Sequence, residues 1–259
     1  MTPEEIVEAV LRWTHVIAAI LWIGQTWLFI FFERNIRRRE GSPHDALWMV
    51  HGGGYYYLEK QPFSAATPGK LHWFFGEAAV TWLTGAALMG MVIYKESTLI
   101  GLYSDFEYST AVASGLGVVF GGFVVYSILL RTLPAKSGPL FALLALAGAA
   151  GAHYGLLQVM EPRPAFFHVG AAFGTIMAFN VVMGIIPAQK KILRALAEGR
   201  EPDPKAGALG PLRSKHNSFL GVPVVFVMIS SHYPLAYSTW VIVGIVLAGF
   251  AAAWLLRRK

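Results

Sequence analysis

The chain has 259 residues, of which 55% are hydrophobic and only 14% are charged. Soluble domains carry roughly a quarter charged residues, so this composition is typical of an integral membrane protein. The sequence contains no cysteine, which excludes disulfides, thiolate metal sites, iron–sulfur clusters and covalently attached haem. The formal net charge of +6 would suit nucleic-acid binding, but the positions of the basic residues argue against that function.

Apolar segments long enough to cross a bilayer, which takes about 20 residues, recur along the chain. We predict transmembrane helices near residues 7–32, 72–94, 111–130, 138–160, 165–187, 217–233 and 236–256. The predicted fold class is all-α, a polytopic bundle of about seven spanning helices, with eight as the alternative. We expect residues 1–259 to form a single membrane domain, with cytoplasmic or interfacial loops at 33–70 and 188–216.

The basic residues predict how the chain is oriented. The segments between helices that fall on one side hold 18 of the 21 Lys and Arg residues, at 33–70, 131–137, 188–216 and 257–259. Because Lys and Arg are retained in the cytoplasm during insertion, we expect the N-terminus outside and the C-terminus in the cytoplasm. The same bias accounts for the net charge, so the expected partner is the lipid bilayer and not a nucleic acid.

Eight histidines are many for so apolar a chain, and an ionisable residue inside a membrane is a functional candidate by default. Four of them fall in a layer near the outer face: His15, His153, His168 and His232. A b-type haem in a helical bundle needs one or two axial imidazoles, so this layer predicts one or two haem b groups. His15 and His153 match best in depth as ligands of the haem iron, and His168 is the next candidate.

The surroundings of this layer allow two interpretations. Arg12 lies three residues before His15 on the same helix face, where its guanidinium could pair with a haem propionate. Glycines near the layer, such as Gly148 and Gly151, would admit a flat macrocycle. Glycines in membrane helices also serve close helix packing, and a histidine near a helix end is also explained as an interfacial hydrogen-bonding group.

A second polar cluster is predicted toward the cytoplasmic side. Glu77 lies inside a predicted span, five residues after His72, and Arg213, His216 and Asn217 enter the sixth helix at a similar depth. Together they supply an acid or base, a partner for an anion and an amide, which suits a small planar anion. The alternative is a structural Arg–Glu pair with helix caps that fixes the neighbouring loop.

The long loop at 33–70 carries a candidate ligand-binding segment. Gly52, Gly53 and Gly54 follow His51, and consecutive glycines permit positive φ and a close approach of the backbone to a ligand. Three tyrosines and Lys60 follow. We expect this aromatic loop to lie against the membrane surface.

Four stretches of the sequence carry a distinctive combination of motifs: LRWTHVIAAILWIG (11–24), LWMVHGGGYYYLEK (47–60), LHWFFGEAAVTWLTG (71–85) and RSKHNSFLGVPVVFVMISSHYP (213–234). They resemble the membrane domain of the bacterial cytochrome-c-linked urate oxidases, the urate oxidase N-terminal family. The first-helix pattern is also similar to that of small membrane cytochrome b families in which the equivalent histidine ligates haem. This similarity favours His15 as an axial ligand.

The resemblance implies oxidation of urate, a step of purine degradation, in the bacterial inner membrane, with electrons passed to cytochrome c instead of O2. It gives functional weight to the residues that match the motifs: His51, Gly52, Gly53, Gly54, Lys60, His72, Trp73, Glu77, Trp82, Arg213, His216, Asn217 and His232. Typical members continue into a cytochrome c domain with a Cys-x-x-Cys-His site. Since this chain has no cysteine, we expect a separate periplasmic cytochrome c, or another membrane subunit, as electron acceptor.

The leading hypothesis is a haem-b membrane oxidoreductase in which Arg213 holds the anion and Glu77 or a histidine accepts its proton. Two alternatives come from other functional classes. One is a non-catalytic cytochrome b that serves as an electron-transfer or anchor subunit of a larger respiratory complex. The other is a transporter in which Glu77 and the histidines relay protons.

Overall fold

The computed structural model describes residues 1–38, 44–66, 69–102, 105–132 and 138–258. Its α-helices are α1 (Pro3–Asn35), α2 (Gly76–Leu88), α3 (Glu96–Leu99), α4 (Tyr108–Thr132), α5 (Gly138–Leu156), α6 (Pro162–Phe179), α7 (Ile186–Ala197), α8 (Pro204–Ile229) and α9 (Thr239–Arg257). Among the described residues, six helical segments are long and apolar enough to cross a membrane. This confirms a multi-pass helical bundle, whereas the side that each end faces stays a prediction.

Two π-helical segments lengthen these helices. Met89–Ile93 extends α2, and Asn180–Ile185 joins α6 to α7, so that Pro162–Ala197 is one continuous helix of 36 residues. The second segment lies directly before Pro187, which has no backbone N–H to donate and whose ring would clash with an α-helical carbonyl one turn earlier. A π turn relieves such a conflict locally, and π turns are frequent at functional sites.

The helix α8 completes the bundle. Its 26 residues span about 39 Å, enough to cross the bilayer, although Pro211 and Pro223 lie inside it and it is less apolar than the other spans. It packs between α6 and α9. The central element is α6, which is buried over most of its surface and packs against α4, α5 and α8, whereas α1 packs mainly against α2.

The predicted helix limits need correction at the cytoplasmic side. The sixth predicted helix begins at 204 instead of 217, and the fifth continues to 197, so most of the expected loop 188–216 is helical. Polar residues made both segments look like a loop, but α7 is amphipathic and packs one face against α8. The second predicted helix begins at Gly76, later than the expected 72.

The described part of the loop 33–70 contains a small antiparallel sheet in the order β1 (Arg37–Arg38), β2 (Asp45–His51) and β3 (Gly54–Lys60). In its register Asp45 pairs with Lys60 and His51 with Gly54. Gly52 and Gly53 form the two-residue turn with φ of 59° and 80°, values that favour glycine at both positions. The predicted glycine-rich segment is therefore a hairpin turn.

Candidate functional site

A buried polar network joins α4, α6 and α8 in the half of the bundle toward Thr132 and Pro204. Asn180, which is fully buried, donates through Nδ2 to the Tyr126 hydroxyl at 3.0 Å and to Asn217 Oδ1 at 2.9 Å. The Asn180 Oδ1 atom accepts a hydrogen bond from the Arg213 guanidinium. His216 Nδ1 lies 3.0 Å from the Tyr126 hydroxyl. Three of the predicted site residues, Arg213, His216 and Asn217, therefore belong to one network.

The local sequence creates room for this network. Gly184 lies in the π-helical segment, where a Cβ would approach Arg213 Cδ to 2.7 Å and Cζ to 3.0 Å. Only glycine at that position therefore admits the guanidinium in this place. Arg213 Cζ also lies 6.0 Å from the centre of the Tyr126 ring, a cation–π contact.

The charge of Arg213 is not balanced by an acidic side chain. Of the residues that the structure describes, no Asp or Glu forms an ion pair with it. A charge taken out of water is costly unless it is paired, and within the described ranges the hydrogen-bond partner of Arg213 is an amide oxygen. The network is thus a half-buried cationic site that is complementary to an anion.

A cavity of about 590 Å³, called here the α4–α5 cavity, adjoins the network. Small residues of α4 and α5 leave this space, among them Gly122, Ala145 and Gly148. His216 lines one end of it and stacks on Phe141, with ring centres 4.5 Å apart and planes inclined by 30°. The predicted role of Gly148 in admitting a flat group is compatible with its place on this wall.

Two of the predicted haem ligands, His153 and His168, are fully buried. His153 Nδ1 lies 3.0 Å from the Thr239 hydroxyl of α9, and its Nε2 has no hydrogen-bond partner in the part of the chain that the structure describes. Its ring packs edge-on against Phe166. Since Phe166 and His168 are two residues apart on α6, about 200° around the helix, the two histidines lie on opposite sides of α6.

Both ring nitrogens of His168 form hydrogen bonds. Its Nδ1 lies 2.8 Å from the Pro164 carbonyl oxygen, which only accepts, so Nδ1 carries the proton and Nε2 accepts from the Tyr94 hydroxyl at 3.0 Å. Burial raises the pKa of Tyr94 to about 12, so this hydroxyl is a donor at neutral pH. Gly115 of α4 faces the same Nε2, and a Cβ there would clash with it.

The histidine of the first helix lies elsewhere. His15 is half-buried between α1 and α2, where its Nδ1 lies 2.9 Å from the Thr81 carbonyl oxygen and 3.1 Å from the Thr84 hydroxyl. Arg12 forms an ion pair with Glu8 at 2.7 Å, and its side chain is 53% exposed. Because α1 packs on α2 whereas α5 packs on α6 and α9, His15 and His153 belong to different helix pairs.

Glu77 and His72 do not join the Arg213 network. The Glu77 side chain lies close to Gln25 of α1. His72 is exposed and packs edge-on against Phe74, with ring centres 4.5 Å apart. Over the described ranges, no hydrogen bond or ion pair links either residue to Arg213. The predicted catalytic set is therefore divided between two places.

Most of the remaining predicted residues are exposed, whereas Trp73 and Trp82 are half-buried. His51, Gly52, Gly53 and Gly54 are exposed at the hairpin turn, and His232 is exposed after α8. Lys60 forms an ion pair of 2.6 Å with Glu33, which ties the hairpin to the end of α1. Trp73 lies under the Lys190 ammonium, 5.4 Å from the ring centre. Trp82 donates to the Thr175 hydroxyl at 3.1 Å.

Sequence reasoning missed Asn180 and Tyr126, which hold the network together. An amide inside a predicted span is a recognisable signal, because a buried polar group needs a partner, but the partner itself lies on another helix. Of the residues that the structure covers, no cluster of three or more His, Asp or Glu has the arrangement of a metal-ion site.

The family model for the urate oxidase N-terminal region matches residues 3–258. No curated protein and no solved structure matches the chain. The match covers every helix described above, the hairpin and both groups of polar residues. Combined with the six spans, it supports an oxidoreductase-like, multi-pass membrane protein with apolar helices in contact with lipid. The chain belongs to the urate oxidase N-terminal family.

Proposed function

We propose that this protein is a haem-b oxidoreductase of the bacterial inner membrane that oxidises a small planar anion such as urate. Electrons would pass to a periplasmic cytochrome c, as the resemblance implies. The observation that carries the proposal is the Arg213 guanidinium, which is half-buried, hydrogen-bonded to Asn180 and without an acidic partner among the described side chains. Such a cation binds an anion with charge-assisted hydrogen bonds.

The residues around Arg213 supply the rest of a binding site for this anion. His216 is the nearest group able to accept a proton from it, through the ring nitrogen that Tyr126 does not engage. Asn217 is fixed by donating to the Met177 carbonyl oxygen at 2.9 Å and by accepting from Asn180. This rigid support favours a fixed orientation of a bound ring.

Glu77 and His72 then act outside this site. Both lie where the chain enters α2, and Glu77 lies close to Gln25 of α1. The proposal therefore gives the proton-accepting role to His216 and a supporting role to the Glu77 region.

One buried histidine fits a haem, because His153 Nε2 is buried and has no hydrogen-bond partner among the described residues. His168 Nε2 already accepts from the Tyr94 hydroxyl, so His168 would have to release Tyr94 before it could bind iron. We propose that His153 holds haem b, with His15 and His168 as the further candidates. When bound, haem would supply a one-electron carrier between the substrate and the acceptor.

The first experiment is a reduced-minus-oxidised visible spectrum of the purified protein, with dithionite and then with urate as the only reductant. A b-type band with both reductants supports the proposal. Arg213→Met should abolish reduction by urate and keep reduction by dithionite. The control Arg163→Met removes an exposed guanidinium that lies over Phe167, and it should behave as the wild type.

A band with dithionite alone would instead support a non-catalytic cytochrome b subunit. The separation of Glu77 and His72 from Arg213 favours this second candidate, because the expected catalytic residues do not meet. Its test is copurification with a partner subunit that restores electron transfer. If neither reductant produces a band, the haem assignment is wrong.

A further inference from the structure

The α4–α5 cavity is larger and longer than a small planar anion. Its walls come from α4, α5, α6, α8 and α9, and nearly all of them are apolar. On α5 the lining residues run from Gly138 to Ala152, about 21 Å along the helix axis. The space is therefore long and apolar, and its volume lies in the range of ligand pockets.

The cavity reaches the surface that faces lipid. Val125 and Trp254 line it, and they are 57% and 51% exposed. Both belong to spanning helices, so the opening lies at the depth of the bilayer and admits molecules dissolved in it. A ligand of this cavity is consequently an apolar or amphiphilic membrane component.

One end of the cavity is polar. There the lining includes Lys215, His216 and Tyr126, and the His216 ring stacks on Phe141. Imidazole and phenol groups donate and accept hydrogen bonds without a fixed charge. A flat ring that carries carbonyl oxygens is complementary to this end.

We propose that the α4–α5 cavity binds a membrane quinone, with its ring at the His216 end and its isoprenoid tail along α5. The quinone takes up two electrons and two protons to give the quinol. The two-electron oxidation of the substrate releases the electrons and the protons, and the quinone accepts them as an alternative to the cytochrome c; in this respect the inference rests on the proposed function. The protons reach the ring oxygens through His216 and Tyr126, which Asn180 and Asn217 connect to Arg213.

The test measures binding and needs no turnover. Protein purified from its native membrane is extracted for quinone, and decylubiquinone is titrated into the protein in nanodiscs. Ala145→Phe places a ring inside the cavity and should weaken decylubiquinone binding at least about tenfold. The matched control Ala147→Phe adds the same ring to an exposed position of α5 that does not line the cavity, and binding should change less than about twofold.

Gly148→Leu is a second cavity-filling variant, used if Ala145→Phe does not fold. Wild-type protein that retains no quinone and shows no saturable decylubiquinone binding would overturn the proposal. So would equal effects of the cavity and control variants, or a phospholipid or fatty acid extracted in place of quinone. Binding of decylubiquinone without any reduction by urate would contradict the proposed function and leave the quinone site standing.

Discussion

The buried histidines differ in what their ring nitrogens contact. His168 is satisfied on both nitrogens, by Pro164 and Tyr94, whereas His153 leaves Nε2 without a partner in a fully buried place. A buried polar atom without a hydrogen bond costs about 1–3 kcal/mol. A ligand bound at Nε2 would remove this cost, so of the two buried histidines His153 is the stronger candidate for binding a ligand.

His153→Gln is expected to lower the haem content of the purified protein by half or more, because it removes an axial imidazole. The measurement is the ratio of haem to protein from the pyridine haemochrome spectrum. His232→Gln changes an exposed histidine and should leave the ratio unchanged. Equal haem content in the two variants would remove His153 from the ligand set.

Asn180→Leu is expected to destabilise the fold by several kcal/mol, because Arg213, Tyr126 and Asn217 each lose a hydrogen-bond partner worth about 1–3 kcal/mol. The free energy of unfolding can be measured by SDS titration in mixed micelles. Asn35→Leu alters an exposed asparagine that donates to the Phe31 carbonyl oxygen, and it should change stability by about 0.5 kcal/mol or less. A similar small effect at Asn180 would show that the network is not a structural unit.

Among the helices, the sequence predicted best where one apolar run filled one span. The first, third, fourth and last predicted helices agree closely with α1, α4, α5 and α9, since length and hydrophobicity alone define them. The prediction erred where these signals weaken. The helix α7 was missed because it contains many charged residues. The first half of α8 was missed because it contains Pro211 and a polar stretch before Asn217.

The hairpin and the site show a further limit of sequence reasoning. The strands β2 and β3 expose aromatic residues on both faces, so they lack the alternation of polar and apolar residues that marks a strand. Arg213, His216 and Asn217 could be grouped because they share one helical turn. Their partners are Tyr126 of α4 and Asn180 at the end of α6. Only the packing of these helices brings the two residues next to Arg213.

Close packing of α4 on α6 predicts a sensitive glycine. Gly115→Ala places a Cβ against the His168 ring, and overpacking of this kind costs about 1–3 kcal/mol. Gly117→Ala, on the same helix but with no atom near its added Cβ, should be neutral or stabilising by up to about 1 kcal/mol. Thermal unfolding of both variants is the measurement. Equal melting temperatures would contradict the packing of Gly115 on His168.

Across the molecule, the polar groups are arranged in two sets that different helices carry. The pair α1 and α2 holds His15 and Glu77, whereas α4, α6 and α8 hold the Arg213 network. Trp82 of α2 links the two parts through its hydrogen bond to Thr175 of α6. A mutation in one set should therefore change the positions of the residues in the other set mainly through the contact between α2 and α6.

The orientation of the whole bundle can be tested with single cysteines, because the chain contains none. Leu102→Cys, at a 77% exposed position between α3 and α4, should react with a membrane-impermeant maleimide in intact spheroplasts. Gln61→Cys, exposed after β3, should react only after lysis. The reverse pattern would place the N-terminus in the cytoplasm and invert the predicted topology.

The π-helical segment Asn180–Ile185 also divides the longest helix into two parts with different phases. Each residue of an α-helix turns the chain by about 100°, so a widened turn that holds one extra residue shifts all later side chains by that angle. The face of α6 that packs on α4 is thereby rotated about the helix axis relative to the face of α7 that packs on α8. This single offset lets one continuous helix carry two packing surfaces that point in different directions. Loss of one residue between Asn180 and Pro187 would turn the whole amphipathic end of the helix away from its partner.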